Sequence, residues 1–190
     1  MASSYDNDLR LEEMATGDQS GTWGDTTNTN LELIAEAFSY GTQASFASDA
    51  DATTTVADGA TDPARSLYFK ITSGVSLTAT RTLTIAPNDL SKVWIIENAT
   101  SGSQSINISQ GSGSNVTIAN GDVKIVYSDG GGASANVVDA LTDLNLAQAT
   151  VNGITSKSFG TDSFMIGDTT TGTINAADRN TGVGVDILHL

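Results

Sequence analysis

Residues 81–130 read RTLTIAPNDLSKVWIIENATSGSQSINISQGSGSNVTIANGDVKIVYSDG, and this stretch decides the fold class. Apolar and polar side chains alternate in its short runs, which is the period of a half-buried β-strand. The run KVWIIEN around Trp94 is apolar at both parities and predicts a strand in the centre of a sheet. Clusters of Pro, Asn, Asp, Ser and Gly separate the runs and predict turns.

This pattern and its N-terminal continuation predict six strands, at residues 66–72, 81–85, 92–98, 104–110, 115–118 and 123–127. Short strands at this spacing are typical of a small antiparallel β-sandwich or a jelly-roll-like domain. The predicted core consists of the inward-facing side chains Trp94, Ile96, Ile106, Ile108, Val116 and Ile118. The sequence therefore predicts a mainly β chain whose sandwich domain spans residues 63–139.

Residues 1–45 are predicted to form an extended N-terminal arm with one short helix. The run LELIAEAFSY at 31–40 has helical spacing, with Thr29 and Glu32 as a capping box and Gly41 as the C-terminal cap. Ten residues are too few for a stable isolated helix. The helix must therefore dock, either on its own domain or on a partner.

Four apolar side chains of this arm are the candidate interface residues: Trp23, Leu31, Ile34 and Phe38. Trp23 stands between Gly21 and Gly24 in a polar segment, where a large aromatic side chain is typical of an anchor in a pocket. Packing of Trp23 on the chain's own core is the alternative. The other three share one helical face.

The remaining segments contain little apolar mass. Residues 46–62 are rich in Ala, Asp, Thr and Ser, and they predict an acidic linker. Residues 140–190 predict short strands near 153–159 and 163–166, followed by a segment that is rich in Gly, Thr and Asn. Such a segment is normally stabilised by neighbouring copies, so we expect the start of a shaft here.

The net charge of −14 is concentrated in the N-terminal third of the chain. Residues 1–62 contain twelve Asp and Glu residues and one Arg, a balance of −11. An acidic surface disfavours nucleic acid and favours a basic protein partner, although an acidic solubilising segment would look the same. The chain has no cysteine, which excludes disulfides and thiolate metal sites. No apolar run approaches the roughly 18 residues of a membrane span.

No catalytic, cofactor or metal site is predicted. The only histidine, His189, is the penultimate residue, which is a poor position for a base held by a third group. The adjacent Glu12 and Glu13 point in different directions and are expected to be solvated. Phosphate-binding glycine motifs are absent, and DTTTGTINAAD at 168–178 lacks the spacing of an EF-hand loop. We therefore expect a structural protein and not an enzyme.

Two segments resemble parts of bacteriophage tail fibres, and a third resembles a repeat of trimeric β-roll adhesins. SGTWGDTTNTNLELIAEAFSYG at 20–41 resembles their N-terminal module, with a Gly-x-Trp-Gly, Asn-rich residues and a short apolar helix. The stretch at 81–132 is similar to a β-module of the same proteins, in the order WIIEN, SINIS and GDVKIVYSDG. NTGVGVDIL at 180–188 is similar to a repeat of trimeric β-roll adhesins, although only one copy is present.

The resemblance implies a virion protein that anchors a fibre to the phage tail and supports host adhesion. It implies a homotrimer, an N-terminal arm that binds a tail adaptor, nozzle or capsid protein, and a shaft or β-roll that begins in residues 140–190. A host receptor would bind a distal part of the fibre, which this chain need not include, and the protein would be made in the host cytoplasm and released by lysis. A capsid decoration or head-fibre protein is the first alternative. A carbohydrate-binding adhesin module is the second.

Overall fold

The computed structural model describes residues 3–144 in full, together with the backbone of four strands at 148–151, 154–158, 164–167 and 181–184. The chain divides into two compact units, Met1–Thr142 and Asp143–Leu190. Unit 1 contains one α-helix and nine strands. Its elements are α1 (Trp23–Ala37), β1 (Tyr40–Phe46), β2 (Ala52–Thr55), β3 (Tyr68–Ser73), β4 (Arg81–Ala86), β5 (Ser91–Asn98), β6 (Ile106–Ser109), β7 (Val116–Ile118), β8 (Val123–Asp129) and β9 (Val137–Asp139).

The nine strands form two mixed sheets. The larger sheet has the order β1-β3-β5-β8-β9, and the smaller sheet has the order β2-β4-β6-β7. The first six strands alternate between the two sheets, and each strand from β3 to β6 pairs in parallel with the strand two places before it. The last three strands, β7 to β9, pair antiparallel. The prediction of a mainly β, sandwich-like domain is confirmed, but antiparallel pairing is confined to its C-terminal strands.

The core of unit 1 lies between the two sheets. All six side chains predicted for it are buried, and Trp94 is completely shielded from solvent. Strand β5 lies in the middle of the larger sheet, as its apolar sequence predicts. The Trp94 indole Nε1 donates a hydrogen bond of 2.8 Å to the carbonyl oxygen of Ala64, so its one polar group is satisfied inside the core. Phe46, Phe69 and Leu77 complete the same cluster.

The turn that follows β5 is fixed by a buried asparagine. The Asn98 Nδ2 donates to the carbonyl oxygens of Gln104 and Ile118, each at 3.0 Å. Its Oδ1 accepts hydrogen bonds from the backbone N–H and the hydroxyl of Thr100. One side chain thus satisfies backbone groups of the turn and of the end of β7, which explains a polar residue in the interior.

All six predicted strands are present, with ends that shift by up to a few residues. The sequence did not indicate β1, β2 and β9. The predicted linker at 46–62 is wrong as a structural description, because it contains β2 and the buried Val56. β2 pairs in parallel with β4 over four residues. The predicted arm, linker and sandwich segments therefore belong to one compact unit.

The helix begins earlier than predicted. α1 starts at Trp23, so the predicted capping residue Thr29 and its partner Glu32 both lie inside the helix. Its N-cap residue Thr22 makes no side-chain capping hydrogen bond. Gly41 is not a helix cap but the second residue of β1. A Cβ atom at Gly41 would lie 2.4 Å from the carbonyl oxygen of Pro63, so close backbone approach explains the glycine.

Unit 2 contains a separate four-stranded sheet. Its strands are β10 (Gln148–Val151), β11 (Ile154–Ser158), β12 (Phe164–Gly167) and β13 (Thr181–Gly184), in that order across the sheet. β11 and β12 match the two strands that the sequence predicts in this region. The segment DTTTGTINAAD at 168–178, whose spacing differs from that of a Ca²⁺-binding EF-hand loop, lies outside the described residues. His189 lies outside them as well. The predicted shaft, with its dependence on neighbouring copies, stays a prediction.

Lys92 is a partly buried cation beside the core residue Trp94. Its Nζ lies 5.2 Å from the centre of the Trp94 ring system. Burial, and to a smaller extent the positive charge of Arg65, lowers the pKa of Lys92 to about 8. The pKa in the unfolded chain is about 10.4. Between these values the unfolded chain holds more protons than the folded chain, so the free energy of unfolding rises with pH.

We expect the free energy of unfolding to increase by about 1 kcal/mol between about pH 8 and pH 10, discounted from the full shift because Lys92 is only partly shielded from solvent. Lys92→Met should remove most of this increase. The measurement is urea unfolding of both proteins at a series of pH values and one fixed protein concentration. Equal slopes against pH for the two proteins would contradict the role of Lys92.

Candidate interaction surface

One face of helix α1 packs on the rest of unit 1, and another face is exposed to solvent. Leu33 and Ala37 are buried, whereas Trp23 is 62% exposed and Phe38 is 75% exposed. Leu31 and Ile34 are exposed as well. Trp23, Leu31 and Ile34 lie within α1, and Phe38 is its C-cap residue. If the helical 100° per residue is continued to Phe38, the four side chains fall within a sector of about 80°. We call Trp23, Leu31, Ile34 and Phe38 the α1 apolar face.

The N-terminal segment holds the middle of α1 in place. The Asn30 side chain donates from Nδ2 to the carbonyl oxygen of Glu12 at 2.9 Å and accepts from the Glu12 N–H at 3.0 Å. The same segment is attached to the sheets, because Asp8 Oδ1 accepts from the backbone N–H of Ser91 at 2.8 Å. Arg10 Nε lies 2.7 Å from Asp58 Oδ1, and this hydrogen bond raises the pKa of the guanidinium.

The C-terminal turn of α1 is held by a buried arginine. Glu36 Oε1 accepts a hydrogen bond of 2.7 Å from the backbone N–H of Asp62. Its Oε2 lies 3.6 Å from Nε of Arg65, whose side chain is fully buried. Arg65 Nη2 also donates to the carbonyl oxygens of Ala57 and Ala60. The helix is therefore attached to the rest of unit 1 at two separated residues, Asn30 and Glu36. These attachments give the α1 apolar face a defined orientation.

The acidic side chains of α1 lie on the opposite side of the helix from the α1 apolar face, because at 100° per residue they fall about 140–180° from its centre. The helix contains Asp25, Glu32 and Glu36 and no Lys or Arg. A shallow groove of about 350 Å³ lies beside the helix end, and Glu32, Glu36 and Tyr40 are among its lining residues. The carboxylates of α1 therefore form no rim around the α1 apolar face, although the net negative charge of the helix favours a cationic partner over an anionic one at long range.

The structure brings the four predicted interface residues together on one surface. Trp23 does not pack on the core of unit 1, which was the alternative for this residue. The sequence placed Leu31, Ile34 and Phe38 on one face but did not extend the helix to Trp23. Because α1 begins at Trp23, the same helix adds the tryptophan to that face. The helical spacing between Trp23 and Ile34 was the signal that could have shown this.

Within residues 3–144, no group of three or more His, Cys, Asp or Glu side chains is arranged to hold a metal ion. The described residues contain no helix that is long and apolar enough to cross a membrane. Comparisons with known proteins give the chain no family: no protein-family model matches it, and neither curated proteins nor solved structures gave a match.

Proposed function

We propose that this chain is a structural virion protein, the N-terminal part of a phage tail fibre that anchors the fibre to the tail and supports host adhesion. The observation that carries the proposal is the α1 apolar face on a helix with a fixed orientation. Large apolar side chains that are held in solvent on one face are typical of a protein interface. The order of the tail-fibre-like segments along the sequence supports the same reading.

The proposed partner of the α1 apolar face is another virion protein, such as a tail adaptor or nozzle. The helix contains Asp25, Glu32 and Glu36 and no Lys or Arg, so its net negative charge favours a basic partner at long range. Trp23 would enter an apolar pocket of the partner. Aromatic side chains that become fully desolvated at an interface carry a large share of the binding energy.

The proposed assembly is a homotrimer on the virion tail, with host binding by a distal part of the fibre. A capsid decoration or head-fibre protein would use the α1 apolar face in the same way, with the shell as partner. A carbohydrate-binding adhesin module would instead bind sugars through the loops of unit 1. Immunogold labelling of purified particles separates these alternatives, because it locates the chain at the tail, on the head or on neither.

We expect Trp23→Ala to weaken docking by about 2 kcal/mol or more, which corresponds to a roughly 30-fold lower affinity. The reason is the loss of the largest apolar side chain on the α1 apolar face. The measurement is the number of copies of the chain per particle, by quantitative mass spectrometry of purified phage that encodes the variant.

The matched control is Val75→Ala, which shortens an exposed valine in the turn between β3 and β4. Both variants should give the circular dichroism spectrum of the unmodified protein. Particles that contain Trp23→Ala at the normal copy number would rule out Trp23 as the anchor. Loss of the chain from Val75→Ala particles would show that incorporation responds to any surface change.

A further inference from the structure

The outer face of the five-stranded sheet is a second exposed apolar surface. Side chains alternate between the two faces of each strand. In β5, Trp94 and Ile96 point into the core, whereas Val93 and Ile95 lie on the opposite face. A sheet face that meets water is normally polar. Here the outward positions near the centre of the sheet are apolar.

Strand register joins these outward side chains into two rows. Tyr40, Tyr68, Ile95 and Ile125 are successive cross-strand partners over β1, β3, β5 and β8. The second row joins Val93, Tyr127 and Val138 over β5, β8 and β9. We call these seven side chains the sheet apolar face.

The sheet apolar face is accessible and locally ordered. Tyr40 is 59% exposed and Val93 is 49% exposed, and Tyr127 is exposed too. The rings of Tyr40 and Tyr68 stack with their centres 5.4 Å apart. Contiguous apolar surface of this kind, spread over five strands, indicates a site of association. It shares no residue with the α1 apolar face, and its edge residue Tyr40 follows Phe38 by two positions in the chain.

The charges on this side of the sheet are nearly balanced. Lys70 Nζ lies 2.9 Å from Glu97 Oε1, and the Tyr68 hydroxyl donates to Glu97 Oε2 at 2.9 Å. Asp129, at the end of β8, has its carboxylate occupied by hydrogen bonds from Gly131 and Asn136. A face without excess charge offers nothing to attract a strongly basic partner. In a chain of net charge −14, however, it is a surface where two copies meet with little repulsion.

We propose that the sheet apolar face is the surface through which copies of this chain assemble with one another. The occupant is a second copy, because the face is apolar and close to neutral in a strongly acidic chain. The α1 apolar face lies on a helix that contains three carboxylates and no Lys or Arg, so two such helices repel each other and this face remains free for the virion. The position of this assembly face is argued without the proposed function. Only the expected number of copies, three, rests on the proposed function.

Site-directed cross-linking tests whether the face is a contact between copies. The chain has no cysteine, so single variants Tyr40→Cys and Val93→Cys place one thiol at the edge and one at the centre of the face. With a short bis-maleimide at dilute protein concentration, both should give a covalent dimer of twice 19.5 kDa. Val75→Cys is the control, because its exposed side chain lies outside the face. Dimer yields no higher than the control at both positions would overturn the proposal.

A second measurement asks whether the face drives assembly. Light scattering should give the unmodified full chain a mass of at least twice 19.5 kDa. The double variant Val93→Thr/Tyr127→Thr keeps β-forming residues but removes apolar area, and its mass should fall towards one chain with an unchanged circular dichroism spectrum. A monomeric unmodified chain, or an unchanged mass in the double variant, would contradict the proposal.

The two proposals fail separately. Trp23→Ala should keep its mass and its cross-links while it loses incorporation into particles. Normal assembly in the double variant with lost incorporation in Trp23→Ala would overturn only the assembly face. Lost assembly in the double variant with normal incorporation of Trp23→Ala would overturn only the docking role of Trp23.

Discussion

Trp94→Ala is expected to lower the free energy of unfolding of unit 1 by about 4 kcal/mol. The indole ring is completely buried between the two sheets, so its removal loses apolar burial and leaves a cavity that the neighbouring strands fill only in part. The carbonyl oxygen of Ala64 also loses the hydrogen bond from Nε1. A loss of this size is a large part of the stability of an ordinary domain.

The measurement is urea unfolding followed by circular dichroism, at one protein concentration so that self-association contributes equally. Trp23→Ala is the matched control, because it makes the same chemical change at an exposed position. The control should change the free energy of unfolding by less than about 1 kcal/mol. Similar losses for the two variants would contradict the placement of Trp94 in the core and Trp23 on the surface.

Trp94→Phe separates packing from hydrogen bonding at the same site. The phenyl ring retains most of the apolar volume but cannot donate to Ala64. We expect an intermediate loss of about 2 kcal/mol, made up of a smaller cavity and an unsatisfied buried carbonyl. A loss as large as that of Trp94→Ala would assign the main effect to the hydrogen bond and not to packing.

The strands that the sequence predicts are those whose burial follows the period of two. Ile106 and Ile108 in β6, and Val116 and Ile118 in β7, are buried at alternate positions and easy to identify. The missed strands lack that pattern. In β2, the buried residue is Thr54, whose hydroxyl donates to Gln43 Oε1 at 2.9 Å. Its position depends on a partner strand that no local pattern can identify.

Parallel pairing could not be read from alternation. A half-buried strand has the same apolar period whether its neighbour runs parallel or antiparallel. Here the direction follows from the path of the chain. Each of the first three pairs of strands crosses from the larger sheet to the smaller sheet and returns, so the next pair stacks beside it in the same direction.

The start of α1 was missed because its first turns contain poor helix formers. Residues 23–30 include Gly24, two Asn and three Thr, and propensity alone argues against a helix there. Contacts outside the helix override that preference. Asn30, which looks like a helix breaker in the sequence, is the residue that attaches α1 to the backbone of Glu12. The sequence thus identified all four residues of the candidate surface, but it did not show that Trp23 shares one helical face with the other three.

Arg65→Met is expected to destabilise unit 1 by about 3 kcal/mol and to loosen the attachment of α1. Methionine keeps part of the aliphatic stem but removes the guanidinium. The carbonyl oxygens of Ala57 and Ala60 then lose their donors, and the nearly buried carboxylate of Glu36 loses its positive partner. Burial already lowers the pKa of Arg65 despite the carboxylates around it, so this charge is held at a cost in solvation.

A double-mutant cycle with Glu36→Gln isolates the ion pair from the carbonyl contacts. Glutamine keeps an acceptor for the N–H of Asp62 and removes the charge that Arg65→Met leaves unpaired. The double variant should therefore be more stable than the sum of the two single losses predicts, by about 1 kcal/mol. Urea unfolding gives the free energies, and hydrogen exchange of the α1 amides shows whether the helix detaches before the sheets unfold. Strict additivity, with α1 exchanging no faster than the sheets in Arg65→Met, would mean that Arg65 supports the loop at 57–60 and does not hold the helix that presents the α1 apolar face.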